Sequence, residues 1–242
     1  MEFLINAFNI LLYQPLFNLL ILLYQFIPGQ DFGVAIIIFT LLIKIIFYPL
    51  TAKAIKSQKI LSEFQPKIRE IQQKFKEDKE RQVKEMLSLY QREKINPFAG
   101  LLPILIQLPV LVALFQVFRG GFGLEQMTYL YDFIPRPEAI NLISLGIIDL
   151  GESNIIIAFL AGITQFFQSR MLIPKMKKDT KETNQMAQVS VMVQKQMAYF
   201  VPIFTVFMLL GLPSAMGLYW LVTSLFSTGQ QYLTLKHQNA KA

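Results

Sequence analysis

Lys44 is the residue whose type and position most directly suggest chemistry in this sequence. It lies within the apolar run 39–51 (FTLLIKIIFYPLT), inside a segment long enough to cross a bilayer. An ammonium group held against lipid would cost roughly 2.5 to 3.5 kcal/mol on insertion scales. We therefore expect Lys44 to face a polar, hydrated cavity. The alternative is a lysine that snorkels to the membrane surface from a helix that ends earlier than expected.

Few other residues could support catalysis or bind a cofactor. The sequence has no cysteine, and its single histidine, His237, lies near the C-terminal end. Disulfides, thiolate metal sites and a thiol nucleophile are therefore excluded. The predicted membrane spans contain no Asp or Glu, so a carboxylate proton relay or sodium site is unsupported. There is also no glycine-rich phosphate loop and no His-Glu-x-x-His zinc motif. The sequence predicts no enzyme activity, no cofactor and no metal.

The composition is that of an integral membrane protein. Of the 242 residues, 53% are hydrophobic and 16% are charged, and the mean hydropathy is +0.42, which is too apolar for an ordinary soluble domain. The formal net charge of +7 would be compatible with nucleic acid binding. However, the basic residues concentrate beside the apolar runs, which is the pattern that sets membrane topology. We therefore expect contact with a lipid bilayer and no nucleic-acid function.

The apolar runs predict an all-α integral membrane fold with five transmembrane helices, over residues 32–54, 96–118, 154–173, 191–211 and 212–234. Pro49 is expected to kink the first helix near its end. Pro103 and Pro109 require the second helix to be covered by neighbours or to line a cavity, because prolines leave carbonyls that lipid cannot satisfy. Counted from Met197, the fourth helix is short for a span unless it begins earlier in the chain.

Polar residues within the first two spans are spaced so that some share a helix face. Thr40 lies four residues before Lys44, on the same face. Gln107 and Gln116 are nine residues apart and point to opposite faces of the second span. At most one of these two glutamines therefore faces a cavity shared with Lys44.

Residues 1–31 precede the first predicted span. Polar residues recur there at helical spacing, which suggests an amphipathic helix lying in the membrane interface. These residues are Glu2, Asn6, Asn9, Tyr13 and Gln14. The segment lacks the basic start and the small-residue cleavage pattern of a signal peptide. A spanning helix over residues 3–27 is the alternative, and it would move the N-terminus to the other side of the membrane.

The segment 55–95 is predicted to be a cytoplasmic helical hairpin. Residues 53–94 contain twelve Lys or Arg and seven Asp or Glu, which the positive-inside rule assigns to the cytoplasm. Apolar residues repeat every three or four positions on both sides of the charged run 76–81, and Pro66 should bend or restart the first arm. The hairpin is either a solvated linker between spans or a flexible lid or docking arm.

The remaining connections fix the predicted orientation. Residues 119–153 carry five acids and two arginines and are assigned to the outer side, whereas the loop 174–190 and the tail 235–242 are assigned to the cytoplasm. Five crossings then place the N-terminus outside and the C-terminus inside. The tail contains only two lysines, so a strong independent ribosome-binding site is not expected there.

Four sequence motifs, taken together, resemble the YidC family of membrane protein insertases. They are residues 39–51 around Lys44, residues 65–68 (QPKI), residues 96–109 (NPFAGLLPILIQLP) and residues 212–220 (LPSAMGLYW). Each motif alone is weak, but their order, their spacing and the five-helix frame extend the similarity over nearly the whole chain. The resemblance implies a bacterial plasma membrane protein with a five-helix core, an interfacial helix, a cytoplasmic hairpin and a hydrophilic groove that is closed on its outer side.

The resemblance also implies a function and a set of site residues. The family inserts and folds membrane proteins without nucleotide hydrolysis, alone or beside the Sec translocon. Nascent membrane proteins are thus the expected clients, and the translocon and the ribosome are the expected partners. Lys44 matches the position at which bacterial relatives typically carry arginine, and it becomes the groove cation. Thr40, Gln107, Gln165 and Trp220 become groove or client-contact residues.

Two other functions are compatible with the residues. One is a small anion transporter or channel that uses Lys44 for selectivity. The cytoplasmic hairpin, which a pore does not need, and the lack of an internal repeat argue against it. The other is a structural assembly factor bound to a fixed partner, which would insert nothing as a purified protein.

Overall fold

A computed structural model describes residues 2–93, 95, 96, 98, 102–120, 124–171 and 185–239, and this part of the chain is mostly helical. The helices are α1 (Glu2–Phe8), α2 (Gln14–Phe26), α3 (Phe32–Ile46), α4 (Tyr48–Glu63), α5 (Gln65–Lys74), α6 (Lys79–Arg92), α7 (Leu102–Arg119), α8 (Leu124–Met127), α9 (Ile155–Met171), α10 (Gln185–Leu210) and α11 (Ser214–Asn239). A π-helical turn, Asn9–Tyr13, joins α1 to α2. Two short strands, β1 (Ile143–Ser144) and β2 (Ile148–Asp149), pair antiparallel.

The N-terminal helix packs on the rest of the protein through one face. Tyr24 of α2 is buried and contacts Phe32 of α3 edge-on, with 5.6 Å between ring centroids. Gln14, one residue of the predicted polar stripe, donates through Nε2 to the Tyr129 carbonyl at 3.1 Å. The stretch Ile5–Phe26 is also long and apolar enough to cross a membrane. The interfacial and the spanning arrangements therefore both stay predictions.

The first predicted span bends sharply near Pro49. α3 and α4 meet at Phe47 at an angle of 65°, and Pro49 lies in the first turn of α4, where its missing N–H costs no helical hydrogen bond. α4 continues to Glu63, beyond the predicted end of the span at residue 54, which stays a prediction. The break falls three residues after Lys44.

Residues 65–92 form two helices, α5 and α6, which contact each other across a short turn. Pro66 lies in the first turn of α5 and restarts the helix, as predicted. Asp78 caps α6, since its Oδ1 accepts the Arg81 N–H at 2.9 Å. Gln82 Nε2 donates to the Gln72 carbonyl at 2.9 Å and joins the two helices. Their placement in the cytoplasm stays a prediction.

α11 is the helix around which the other long helices pack. It contacts α9 and α3 most extensively, and it also touches α4, α7 and α10. α9 and α10 approach closely at Gly162, where an added Cβ would lie 2.2 Å from Val206 Cγ2. The large buried side chains of the core include Phe39, Leu114 and Tyr219, which belong to α3, α7 and α11.

Two helices in the C-terminal half extend beyond the predicted spans. α10 begins at Gln185, earlier than residue 191, and α11 reaches Asn239, beyond residue 234. The predicted span boundaries themselves stay predictions. A polar sequence after an apolar one ends a membrane span without ending the helix, because helix propensity does not depend on hydrophobicity. The first part of the predicted loop 174–190, through residue 184, lies outside the described residues.

The connection between α7 and α9 adds a short ladder of β1 and β2 to a mostly helical fold. The pairs are Ile143 with Asp149 and Ser144 with Ile148. This β-hairpin is bonded to the start of α3, because the Asp31 carboxylate accepts the Ser144 hydroxyl at 2.8 Å and the Leu145 N–H at 2.6 Å. The hairpin is thus fixed at one end of α3, which we call the Asp31 end.

The same hairpin is bonded to the start of α11. The Ser214 hydroxyl donates to the Asp149 carbonyl at 2.6 Å, and the Ala215 N–H donates to the Leu150 carbonyl at 3.1 Å. These bonds use donors that the first turn of a helix otherwise leaves unsatisfied. One short hairpin therefore joins the beginnings of α3 and α11.

The length of each apolar helix bears on the number of membrane crossings. Among the described residues, Ile5–Phe26 is the one unbroken helical stretch that is long and apolar enough to cross a membrane. α3 and α4 together also reach the required length and hydropathy, but they form a bent pair. Shorter apolar helices cover Leu105–Arg119, Ile155–Met171 and Tyr199–Leu210. These helices lie where spans are predicted, but the count of five crossings stays a prediction.

Candidate functional site

Lys44 is held by neutral polar groups from two other helices. Its Nζ donates to Gln107 Oε1 on α7 and to Ser227 Oγ on α11, both at 3.3 Å. Gln107 Nε2 in turn donates to the hydroxyl of Tyr219, also on α11. Three helices therefore meet in one hydrogen-bonded network that contains a single ammonium group.

The charge of Lys44 is not neutralised by an acid. In the part of the chain that the structure describes, no carboxylate forms an ion pair with it, and the ion pairs that are found, Lys59 with Glu63 and Arg92 with Glu93, lie away from this network. Nor do the described residues contain a cluster of acids or histidines that could hold a metal ion. The network therefore presents net positive charge, and in surroundings of low dielectric constant this attracts an anion more strongly than in bulk water.

Packing between α3 and α11 is tight at the Asp31 end and looser around Lys44. Phe32 and Ala35 of α3 and Ala215 of α11 have no exposed surface. Lys44 itself is half-buried, and the next residue, Ile45, is 60% exposed. The polar network thus lies where the two helices open, with close-packed side chains behind it.

The bend between α3 and α4 is held by a residue of α11. Gln230 is buried, and its Nε2 donates to the Tyr48 carbonyl at 3.0 Å and to Thr51 Oγ1 at 2.7 Å. Both acceptors lie in the first turn of α4, so this one side chain joins α11 to the start of the helix that follows the break. Tyr48 also contacts Phe226 of α11 edge-on, at 6.4 Å between centroids. α11 therefore sets both the surroundings of Lys44 and the direction in which the chain leaves it.

The structure brings together two of the five predicted site residues, Lys44 and Gln107. Gln165 and Trp220 form a separate pair in which the indole Nε1 donates to Gln165 Oε1 and joins α9 to α11. The Thr40 hydroxyl donates to the Ile36 carbonyl of its own helix at 2.6 Å, so it is already satisfied there.

The client contacts predicted for Gln107, Thr40, Gln165 and Trp220 stay predictions. Gln116, which the spacing placed opposite Gln107, is exposed. That agrees with the expectation that at most one of these two glutamines reaches the cavity.

Three residues of the site are absent from the sequence-based prediction: Tyr219, Ser227 and Gln230. All three lie on α11, and a signal for them exists in the sequence. Tyr219 and Ser227 are eight residues apart with Thr223 midway, which is the spacing of polar residues on one face of a helix. A polar face on an otherwise apolar helix indicates contact with a polar partner.

Comparison with known proteins assigns this arrangement of helices to a family. The sequence model of the family described as 60Kd inner membrane protein matches residues 22–241. The chain belongs to this family. A membrane protein insertase YidC from Clostridium tetani is 33% identical over 209 residues, which are 86% of this chain and 84% of that protein. Another, from Fusobacterium nucleatum, is 34% identical over 206 residues, 85% of this chain and 87% of that protein. The resemblance to the YidC family is thereby confirmed.

Relatives in the insertase family differ in length. The YidC insertase of Endomicrobium trichonymphae is 33% identical over 220 residues, which are 91% of this chain but 38% of that protein. The chain thus spans most of the shorter relatives and well under half of the longer ones. The range that the family model matches, residues 22–241, includes α3, α7, α9 and α11, which contain Lys44, Gln107, Gln165 and Trp220.

Proposed function

We propose that this protein is an insertase that captures hydrophobic client segments in a positively charged groove between α3 and α11 and releases them into the bilayer. The observation that carries the proposal is the half-buried Lys44 ammonium, bonded by Gln107 and Ser227 and left without an acid among the described residues. A purely structural lysine would be expected to have a carboxylate partner or to reach water. We propose that an acidic group of a client supplies the negative charge that pairs with Lys44.

The first step of the proposed mechanism is electrostatic. A client segment that must cross the membrane carries acids in its extracellular tail, and Lys44 attracts them into the groove. Two opposite charges 4 Å apart attract by about 4 kcal/mol at an effective dielectric constant of 20. Capture on this scale is strong enough to recruit the tail and weak enough to release it, and it requires no nucleotide hydrolysis.

The second step is apolar transfer. Apolar side chains flank the network on the open side, and they receive the client helix as its tail passes Lys44. On α3 and α11 these are Leu42, Ile45, Ile46 and Leu225, which are all exposed. Burial of the client helix in the membrane stabilises the product by about 25 cal/mol per Å² of apolar surface. The membrane, not the insertase, thus supplies the free energy that completes insertion.

The proposed setting is the bacterial plasma membrane, with the N-terminus outside and the C-terminus in the cytoplasm. The family description as inner membrane protein supports this location. In this orientation the hairpin of α5 and α6 faces the cytoplasm, where nascent clients, the ribosome and the Sec translocon are the proposed partners. The Asp31 end then lies at the outer surface, so the groove opens inward and is closed outward.

Charge reversal at Lys44 tests the proposal. In vesicles containing the purified protein, we expect Lys44→Glu to reduce insertion of a client with an acidic tail by about tenfold or more, because attraction becomes repulsion. Lys44→Arg should insert at near the wild-type rate, since it retains the charge. Insertion is measured as protease protection of the client tail.

Two controls separate the groove charge from other effects. Lys56→Glu makes the same charge change at an exposed position of α4 and should insert normally. A client whose tail acids are replaced by amides should lose its dependence on Lys44. Full insertion of the acidic client by Lys44→Glu would refute the proposed role of the charge.

A further inference from the structure

The tip of the β-hairpin is unusually apolar for an exposed turn. Ile143, Leu145 and Ile147 are 51%, 71% and 83% exposed, and Ile147 is the most exposed large apolar side chain in the described part of the protein. Residues 139–148 contain no charged residue. Turns that face water are normally built from glycine, asparagine, aspartate and serine, so this composition indicates a surface that meets something apolar.

The tip is presented in a fixed conformation. Leu145 has a positive φ of 52°, which is uncommon for a leucine, and its N–H donates to Asp31 Oδ2 at 2.6 Å. Gly146 follows with a φ of 71°. An asparagine or glycine would adopt the turn at Leu145 with less strain. A leucine at this position therefore carries a conformational cost.

The position of the hairpin in the fold indicates which apolar environment contacts its tip. Its turn is bonded to Asp31 and its second strand to Ser214, which are the residues at the starts of α3 and α11. In the proposed topology, on which this inference rests, both helices begin at the outer membrane surface. The tip therefore lies at the level where lipid headgroups meet acyl chains.

We propose that Ile143, Leu145 and Ile147 insert among the lipids of the outer leaflet and anchor the closed end of the groove at a fixed depth. The side chains are aliphatic and uncharged, as partition into that region requires. The acids Glu138 and Asp149 flank the tip and are exposed, which limits insertion to the tip itself. Because the hairpin is bonded to Asp31 and Ser214, the inserted tip holds the starts of α3 and α11 at the same depth in the membrane.

Depth measurement on single cysteines tests the anchor. The natural chain has no cysteine, so Ile147→Cys can be labelled with an environment-sensitive fluorophore without altering other sites. In phosphatidylcholine–phosphatidylglycerol vesicles, we expect nitroxide-bearing lipids to quench this label at least about twofold more than a label at Glu138→Cys, because the tip partitions into the interface. Iodide, present on both sides, should quench the two labels in the opposite order.

A third label separates failure of the anchor from failure of the topology. Ile163 lies on α9 with half of its surface exposed, and a label at Ile163→Cys should be quenched by the lipid nitroxide if α9 is in the bilayer. If Ile163 is quenched by lipid but Ile147 is quenched by iodide like Glu138, the anchor is wrong and the topology stands. If Ile163 is not quenched by lipid, the topology itself fails. Shielding of Ile147 from both quenchers that grows with the protein-to-lipid ratio would indicate a second copy of the protein, which also overturns the lipid anchor.

Discussion

At the scale of single residues, the hydrogen bonds around Lys44 explain why a lysine can occupy the site. The ammonium has three donors, and the glutamine carbonyl and the serine hydroxyl accept two of them at 3.3 Å. In the proposed mechanism, the third donor and the positive charge interact with a client. An arginine would offer a planar fork to the same acceptors, so it would preserve the charge but change the geometry.

Tyr219 orients Gln107, and its removal should weaken the network. In Tyr219→Phe the Gln107 amide loses the acceptor for its Nε2, and a half-buried donor is left unpaired. We expect the free energy of unfolding to fall by about 1 to 3 kcal/mol, measured by thermal denaturation in detergent micelles. Tyr232→Phe removes a hydroxyl from an exposed side chain of the same helix and should have no measurable effect. An unchanged melting temperature in Tyr219→Phe would show that the bond to Gln107 contributes nothing.

Asp31 should make stability depend on acid pH. Burial raises the pKa of its carboxyl, but four hydrogen bonds to it outweigh this and hold the pKa below its ordinary value. The donors are the Leu145 N–H, the Ser144 hydroxyl, and the N–H groups of Val34 and Gly33. A carboxyl with a lowered pKa stabilises the fold above its unfolded pKa, and this contribution is lost as the pH falls through the folded pKa.

The consequence can be measured by comparing wild type with Asp31→Asn. We expect the wild type to be more stable near neutral pH, and the difference to shrink as the pH drops below about 4, the ordinary pKa of an aspartate. The measurement is the melting temperature as a function of pH. Asp132→Asn, at an exposed position of the same connection, should differ little from wild type throughout. A difference between wild type and Asp31→Asn that is independent of pH would contradict the assignment to the ionised carboxylate.

At the scale of helices, Gly162 permits the close approach of α9 and α10, whereas Gly229 makes no close contact. In Gly162→Ala the new Cβ would lie 2.2 Å from Val206 Cγ2 and 3.3 Å from the Pro202 carbonyl, so α9 and α10 must move apart. We expect a loss of stability of about 1 to 3 kcal/mol. Gly229 of α11 has nothing within 4 Å of such a Cβ, so Gly229→Ala should stabilise by about 0.5 to 1 kcal/mol through helix propensity. Thermal denaturation of the two variants measures both effects, and equal shifts would show that packing at Gly162 is looser than described.

The elements also show what a sequence can and cannot predict. Proline, apolar length and charge are local signals, and they predicted the bend near Pro49, the restart at Pro66 and the positions of the apolar helices. The 65° angle was not predictable, because it is held by Gln230, a residue far away in the chain. The β-hairpin was missed for a related reason: its strands are two residues each and depend on bonds from Asp31 and Ser214.

The candidate site likewise combines residues with a local signal in the sequence and residues that depend on distant contacts. Lys44 was predictable because a charge in an apolar run is a local anomaly. Helical spacing allowed only one of Gln107 and Gln116 to face the same cavity, and the resemblance to the YidC family selected Gln107. Ser227 lies 183 residues from Lys44, and its role could be found only once α3 and α11 were seen to pack together. The polar face of α11 was visible in the sequence, but its partner was not.

At the scale of the whole molecule, the contrast between the two ends of the α3–α11 contact distinguishes an insertase from a channel. At the Asp31 end, Phe32 and Ala35 of α3 and Ala215 of α11 have no exposed surface, whereas Lys44 is half-buried. A continuous pore for ions needs a polar path at both ends. We therefore expect vesicles containing the purified protein to show no chloride flux above that of empty vesicles, measured with a chloride-sensitive dye. Flux that is present in wild type and lost in Lys44→Leu would favour the anion channel.

The central position of α11 has a consequence for how the protein itself is made. Ribosomes synthesise chains from the N-terminus, and α11 is the last helix of the described chain. Until it emerges, Lys44 lacks Ser227, Gln107 lacks Tyr219, and the break after α3 lacks Gln230. In the proposed mechanism, a chain under synthesis therefore completes the surroundings of Lys44 only after α11 has been made.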